Sequence, residues 1–171
     1  TVRVGDTVAG LTAVLDQFTV YELQPIGQVA FTAANPRPAA PPAVSGNVKV
    51  VGFNALNFFT TVDTTGGTTT GVCGPGGNQN CRGADSADEF TRQRDKLVAA
   101  ICGLNADVLG LTELENPYSG NDPLPSDGVS DYVLQNLVAA LNASAACPDD
   151  YAFTDNTAAG ADAIRQGLIY K

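Results

Sequence analysis

The sequence of 171 residues contains no histidine, and this absence limits the chemistry that the chain can carry out by itself. Histidine is the commonest metal ligand and titrates nearest to neutral pH. The four cysteines of the chain include no Cys-x-x-Cys pair, and no histidine is present to complete a set of four ligands. The sequence therefore argues against a structural zinc site.

Methionine and long apolar runs are also missing. A chain without methionine cannot begin at a start codon, so we expect a mature product or a part of a longer precursor. No run approaches the roughly eighteen apolar residues of a membrane-spanning helix, and no charged segment followed by an apolar one marks a retained signal peptide. We therefore expect no membrane span.

Positive charge is scarce, because nine lysines and arginines stand against eighteen acidic residues, which gives a net charge of −9. This balance argues against the basic stripe with which duplex-binding domains contact phosphates. A solvated acidic surface is the simpler interpretation, although a bound metal ion would offset the charge locally. The hydrophobic content of 44% excludes general disorder, so we expect a globular protein.

The four cysteines permit three disulfide pairings. Cys73 and Cys81 bracket GPGGNQN, a turn-rich segment whose ends meet easily, and this favours a bridge between them. Cys102 and Cys147 would then pair at the ends of two predicted helices. Either bridge would indicate an oxidising compartment, extracellular or periplasmic, and we expect a secreted protein. The alternative is four reduced, buried thiols.

Composition divides the chain into three parts. Residues 1–34 alternate short apolar and polar runs between glycines, a pattern typical of antiparallel strands, but they are too few to close a sheet alone. Residues 35–46, NPRPAAPPAVSG, contain four prolines and are expected to form an extended linker. From residue 47 to residue 171, apolar strands alternate with helical patterns, which predicts an α/β domain.

Five elements are predicted within residues 47–171, from apolar runs for the strands and from helical periodicity and capping signals for the helices. In chain order they are a strand at 48–59, a helix that begins with a capping box from Ser86 to Glu89, a strand at 107–116, a helix at 132–143 and a strand at 167–170. Residues 60–85, rich in threonine and glycine, are longer than an ordinary connection between a strand and a helix.

The polar ends of the first two strands form the candidate site, because α/β proteins build their sites at strand ends. Glu113 is a carboxylate at the end of an apolar strand, where it must be paired, solvated in a cleft or bound to a cation. A hard divalent ion suits it. Asn54 ends the neighbouring apolar run, and adjacent strands would bring the two side chains together. The simpler alternatives are an ion pair for Glu113 and backbone capping for Asn54.

Four ordered motifs resemble a known family. FNALNFF, CRGADSADEFTRQRDK, DVLGLTELEN and DAIRQGLIYK, within residues 46–171, are similar in order to bacterial secreted extracellular nucleases of the endonuclease/exonuclease/phosphatase (DNase I-like) superfamily. The resemblance implies that residues 47–171 are the N-terminal part of a four-layer α/β/β/α sandwich. The upstream GDTVAGLTAVLDQFTVYELQP resembles the end of an OB-like β module, which implies this fold for residues 1–34.

The resemblance also implies roles for particular residues. Glu113 would be a ligand of a catalytic Mg²⁺, with Mn²⁺ or Ca²⁺ as alternative ions. Asn54 would lie beside it, as a further ligand or to orient the metal shell or the scissile phosphate. Arg165, with Asp162, would contact substrate phosphate, although the aromatic residue that many relatives place there is not matched. Together these roles imply hydrolysis of phosphodiester bonds in DNA or RNA.

The pattern of the family is incomplete in this chain. The family uses an Asp-x-Asn strand end and two histidines, and these would lie after Lys171. We therefore expect the chain to be inactive alone, to expose an unfinished sheet edge and to have the missing C-terminal half of the same domain as its partner. The alternative functions are a phosphatase or lipid phosphodiesterase of the same superfamily and a non-enzymatic extracellular binding module.

Overall fold

The computed structural model of the chain describes residues 2–63, 72–116, 131–155 and 159–171. The chain divides into two compact units, Thr1–Pro41 and Pro42–Lys171. The boundary between the units falls inside the proline-rich segment 35–46, where the composition of the sequence changes.

The first unit contains an antiparallel hairpin of two strands, β1 (Ala13–Gln17) and β2 (Tyr21–Pro25). Leu15 lies opposite Leu23, and both side chains are exposed. Two strands bury little apolar surface, and a hairpin of this size is marginally stable in water. The antiparallel β structure expected from the sequence is therefore present, while the OB-like module stays a prediction.

The second unit is a mixed α/β structure with one sheet of four strands in the order β3-β4-β6-β5. Its elements in chain order are β3 (Val50–Phe58), α1 (Ala87–Leu104), β4 (Val108–Glu115), α2 (Tyr132–Asn142), β5 (Ala152–Phe153) and β6 (Ile164–Tyr170). β3 and β4 are parallel, whereas β6 runs antiparallel to both β4 and β5. All five predicted elements are present, so the predicted alternation of strands and helices is confirmed.

The last strand, β6, lies inside the sheet between β4 and β5, and the edge strands of the described sheet are β3 and β5. The unfinished sheet edge expected from the sequence stays a prediction. The sequence did not predict β5, which pairs with β6 through Ala152 and Phe153. Two residues are too few to show the alternating pattern by which a strand is recognised in a sequence.

The first helix, α1, begins and ends at polar residues. The hydroxyl of Ser86 accepts a hydrogen bond from the Glu89 N–H at 3.3 Å, which satisfies one of the free donors of the first turn. At the other end Asn105 adopts a left-handed conformation, with φ of 47°, and its N–H donates to the carbonyl of Ile101. Leu97 and Ile101 are buried, so the apolar stripe of the helix faces the sheet.

The two faces of the sheet differ. One face carries Leu109, Leu111 and Ile169, which are buried in one apolar cluster with residues of both helices. On the other face, Val50 of β3 and Tyr170 of β6 are exposed. Parallel strands are usually covered on both faces. The described part of the sheet is thus covered by helices on one side and exposed on the other.

Both disulfides favoured by the sequence are present, Cys73–Cys81 and Cys102–Cys147. The alternative of four reduced thiols is wrong. Cys102 lies in the last turn of α1 and Cys147 follows α2, so the second bridge joins the ends of the two helices. Among the helices that the structure describes, none is both long enough and apolar enough to cross a membrane.

Candidate functional site

Strand β3 loses its regular pairing directly after Asn54. Asn54 pairs with Thr112 of β4, and the next pair is Phe58 with Leu114. Three residues, Ala55–Asn57, therefore lie opposite one residue, Glu113, and we refer to Ala55–Asn57 as the bulge. A bulge turns side chains and backbone groups away from the ladder and is found next to active sites more often than elsewhere.

The backbone of the bulge is strained. Leu56 and Asn57 have φ angles of 54° and 52°, and Glu113, which faces them, has a φ of 58°. Left-handed backbone costs an L-residue other than glycine about 1–2 kcal/mol, and asparagine tolerates it best. Such strain persists only where surrounding contacts hold it, and it clusters at functional sites. Three of the strained residues in the described chain thus meet where the sequence placed the candidate site.

The structure brings the side chains of Asn54 and Glu113 together. Asn54 Nδ2 donates to Glu113 Oε1 at 2.7 Å, and the N–H of Asn57 donates to Glu113 Oε2 at 3.2 Å. Asn54 Oδ1 accepts from the N–H of Leu56 at 2.7 Å. Among the described residues, each carboxylate oxygen of Glu113 has one neutral donor, which leaves a lone pair on each oxygen, and the two donors fix the orientation of the carboxylate from both sides.

Glu113 is the residue of this arrangement that could hold a divalent metal ion. The described residues contain no group of three or more His, Cys, Asp or Glu side chains that could hold a metal ion. Mg²⁺, however, is commonly held by one or two carboxylates, with water and substrate phosphate as its other ligands, whereas Ca²⁺ takes six to eight oxygens. Glu113 supplies such a carboxylate. Asn54 Nδ2 donates to Glu113, and Asn54 Oδ1 accepts from the Leu56 N–H, so this conformation lets Asn54 orient the carboxylate, while its direct ligation stays a prediction.

The second carboxylate of the same strand, Glu115, has a structural role. Its side chain is 1% exposed, and Oε2 accepts from Thr60 N at 2.8 Å, Thr60 Oγ1 at 2.9 Å and Thr61 N at 3.1 Å. Glu115 thereby fastens the chain that follows β3 to the end of β4. Regular alternation would place residues 113 and 115 on one face of β4. The left-handed backbone at Glu113 and the register shift between Leu111 and Leu114 instead separate a partly exposed carboxylate from a buried one two residues away.

Arg165 is placed differently from the expectation. Its side chain is 1% exposed and forms an ion pair with Asp131, the N-cap residue of α2. Asp131 also accepts from the Leu134 N–H at 3.0 Å. Burial raises the pKa of the Asp131 carboxyl, and the positive charge of Arg165 acts against this shift. In this conformation the paired guanidinium is buried away from the surface, and the contact of Arg165 with substrate stays a prediction.

Asp162, the other residue expected at the substrate, is exposed. Its carboxylate pairs with the guanidinium of Arg82 at 2.9 Å, and the two side chains are 58% and 44% exposed. Its backbone carbonyl accepts from Asn116 Nδ2 at 2.7 Å. The contact of Asp162 with substrate stays a prediction.

One residue of the site, Gln93 of α1, was missed by the reasoning from sequence. Gln93 Nε2 donates to the carbonyls of Leu56 and Asn57, at 2.8 and 3.3 Å. The sequence did hold a signal, because Gln93 lies three residues after Phe90 and four before Leu97, on the inward stripe of the helix. A polar side chain on such a stripe needs a hydrogen-bond partner.

Comparison of the chain with protein-family models, with curated proteins and with solved structures finds no match. The geometry around Glu113 and the sequence motifs therefore carry the functional proposal.

Proposed function

We propose that Glu113 binds a divalent metal ion in a site for phosphodiester hydrolysis, and that the chain forms the metal-binding part of a secreted nuclease. The observation that carries this proposal is the Glu113 carboxylate, held at a strained bulge by Asn54 and by the N–H of Asn57. Strain and side-chain hydrogen bonds are concentrated on one accessible carboxylate, which a purely structural strand end does not need.

The chemistry of a phosphodiester explains why such a carboxylate is useful. The negative oxygens of the phosphate repel a nucleophile, and a bound Mg²⁺ would neutralise the charge that develops on them. Glu113 would hold the ion, and Asn54 and Asn57 would fix the carboxylate in one orientation. Partners of this kind, which orient a ligand without touching the metal, change metal affinity considerably when they are removed.

The residues for general acid–base catalysis would lie outside this sequence. The chain has no histidine, and the resembled nucleases use two. We therefore propose that this chain alone does not hydrolyse phosphodiesters, and that a histidine-bearing part of the same domain completes the site.

The proposed fold is the N-terminal part of a DNase I-like sandwich. The helical layer of α1 and α2 and the sheet beneath it would be two of the four layers. The exposed face of the sheet, with Val50 and Tyr170, is where a second sheet would pack. The two disulfides are compatible with a secreted protein, since such bridges persist in oxidising compartments.

Titration of the chain with Mn²⁺ tests the metal site. We expect the wild-type chain to bind one Mn²⁺, and Glu113→Gln, which removes the charge while keeping the shape, to lose at least about tenfold in affinity. Glu22→Gln is the matched control, because it changes the net charge equally at an exposed strand position in the other unit. Equal Mn²⁺ binding by the Glu113 and Glu22 variants would refute the metal site.

The substrate class needs a protein in which the histidine-bearing part is present. Such a protein should degrade plasmid DNA or RNA with Mg²⁺, and Glu113→Gln should abolish this activity. Hydrolysis of phospholipid alone would instead indicate a lipid phosphodiesterase, and phosphate release from monoesters alone a phosphatase. Absence of any metal-dependent hydrolysis would favour the non-enzymatic binding module.

A further inference from the structure

Side chains satisfy four backbone polar groups of the bulge, which are the N–H and carbonyl groups of Leu56 and Asn57. The N–H of Leu56 donates to Asn54 Oδ1, and the N–H of Asn57 donates to Glu113 Oε2. The carbonyls of Leu56 and Asn57 both accept from Gln93 Nε2. Two of the three side chains belong to the candidate metal site, and the third comes from a helix on the covered face.

We propose that Gln93 is a positioning residue, which holds Leu56 and Asn57 in the left-handed conformation and thereby keeps the Asn57 N–H on Glu113. This inference rests on the proposed metal-binding function and adds a residue that does not touch the metal. Gln93 acts through the backbone of the bulge, since its donor group contacts the two carbonyls and not the carboxylate.

The need for such a residue follows from the identity of Leu56. Asparagine tolerates left-handed backbone, but leucine has no such preference, and its Cβ approaches the following carbonyl oxygen. The exposed side chain of Leu56 gains little packing energy to offset this cost. The conformation must therefore be stabilised from outside the bulge. Gln93 is half-buried and projects from a helix that is anchored by Leu97 and Ile101, so it offers a rigid point of attachment.

Without the amide of Gln93, residues 56 and 57 would relax toward ordinary extended backbone. The Asn57 N–H would then turn away from Glu113 Oε2, and one of the two donors that orient the carboxylate would be lost. Orienting partners of metal ligands change metal affinity by about 10–100-fold. We therefore expect the effect of Gln93 to appear in metal affinity rather than in global stability.

The experiment compares Mn²⁺ dissociation constants of the wild-type chain, Gln93→Leu, Gln93→Ala and Arg92→Leu. We expect both Gln93 variants to bind Mn²⁺ about tenfold more weakly. Arg92→Leu is the matched control on the adjacent, exposed position of α1, and it should retain wild-type affinity. Thermal melting should show similar midpoints for Gln93→Leu and Arg92→Leu.

A rescue variant separates positioning from simple structural support. Glycine adopts left-handed backbone without steric cost, so Leu56→Gly in the Gln93→Leu background should recover most of the lost affinity. Wild-type affinity in both Gln93 variants, an equal loss in Arg92→Leu, or no recovery with Leu56→Gly would each overturn the proposal.

Failure of the proposed function gives a different result. In that case Glu113→Gln would bind Mn²⁺ as the wild type does, whereas failure of the inference alone leaves Glu113→Gln impaired and the Gln93 variants intact. Amide hydrogen exchange at residues 54–58 provides a readout without metal. Faster exchange in Gln93→Leu than in Arg92→Leu supports the role of Gln93 in holding the bulge, and equal exchange overturns it.

Discussion

Neighbouring acidic residues of β4 acquire opposite roles from their surroundings. Glu113 has neutral partners on both oxygens and lies at a strained position, whereas Glu115 is buried beneath three donors of the following chain. A carboxylate whose lone pairs accept from backbone N–H groups holds neighbouring segments of the chain together. An acid with free lone pairs at the surface is available for a cation. Residue type alone does not distinguish the two.

The ion pair of Arg165 and Asp131 is another case in which burial decides the role. We expect Arg165→Met or Asp131→Asn to lower the free energy of unfolding by about 3–5 kcal/mol, because each leaves one buried charge without its partner. In Asp131→Asn the side chain keeps an oxygen that can accept from the Leu134 N–H at the start of α2. The loss of stability in this variant is therefore due to the lost charge. The double variant should cost less than the sum of the single variants, as measured by urea unfolding.

The exposed pair of Arg82 and Asp162 is the control for this prediction. Its side chains are 44% and 58% exposed, so Arg82→Met should cost less than about 1 kcal/mol. A loss for Arg165→Met as small as that for Arg82→Met would show that the Arg165 guanidinium is solvated. Such a result would favour its expected contact with substrate.

At the scale of elements, the two faces of the sheet differ in how much space they leave beside a glycine. A Cβ added at Gly167 of β6 would lie 2.7 Å from Leu114 Cδ1 and 2.9 Å from Leu134 Cδ1. A Cβ added at Gly110 of β4 would meet nothing within 4 Å. Gly167 therefore permits α2 to pack closely on the sheet, while Gly110 lies on the exposed face.

We expect Gly167→Ala to destabilise the protein by about 1–3 kcal/mol, since its Cβ would displace the side chains of two buried leucines. Gly110→Ala should be neutral or stabilising by up to about 1 kcal/mol. The added methyl group meets no atom in the folded state and lowers the conformational entropy of the unfolded chain. Urea unfolding of the two variants measures the difference. A loss at Gly110 equal to that at Gly167 would show that this face of the sheet is covered in solution.

At the scale of the whole molecule, the two units are stabilised differently. Unit Pro42–Lys171 contains the apolar clusters and both disulfides. In unit Thr1–Pro41, a carboxylate joins the two ends of the segment. Asp6 accepts from the N–H groups of Arg3, Ala34 and Asn35, at 2.8, 3.0 and 3.3 Å. Polar contacts therefore hold the first unit together, whereas apolar packing stabilises the second unit.

This difference predicts a local effect of acid. The hydrogen bond from the Arg3 N–H lowers the pKa of Asp6 most, desolvation acts against it, and the hydrogen bonds from Asn35 and Ala34 lower the pKa further. The stability contributed by Asp6 is thus present above the ordinary carboxyl pKa and is lost as the pH falls through the lower, folded value. We expect the amide NMR signals of Thr7 and Thr32, which bridge the same ends, to shift in that range.

Asp6→Ala should give the acid-shifted signals already at neutral pH. Asp16→Ala is the control, because its carboxylate accepts only from the neighbouring Gln17 N–H in the described hydrogen bonds. If Thr7 and Thr32 keep their neutral-pH signals in Asp6→Ala, the carboxylate does not hold the unit together.

The sequence by itself determined the elements of the second unit except β5, and it favoured the observed pairing of the cysteines. Apolar runs, helical periodicity and capping are local signals, because each reflects contacts within a few residues or a repeating face. The turn-rich segment between Cys73 and Cys81 is equally local. For the same reason Asn54 and Glu113 could be named in advance, since each ends an apolar strand and parallel neighbours bring their ends together.

The tertiary structure decided which polar residues are accessible and which are buried. The burial of Arg165 depends on Asp131, 34 positions earlier in the chain, and the orientation of Glu113 depends on a bulge in another strand. Gln93 reaches that bulge from a helix. These relations come from packing between elements that are distant in sequence, and a local pattern can mark a buried polar residue such as Gln93 without identifying its partner.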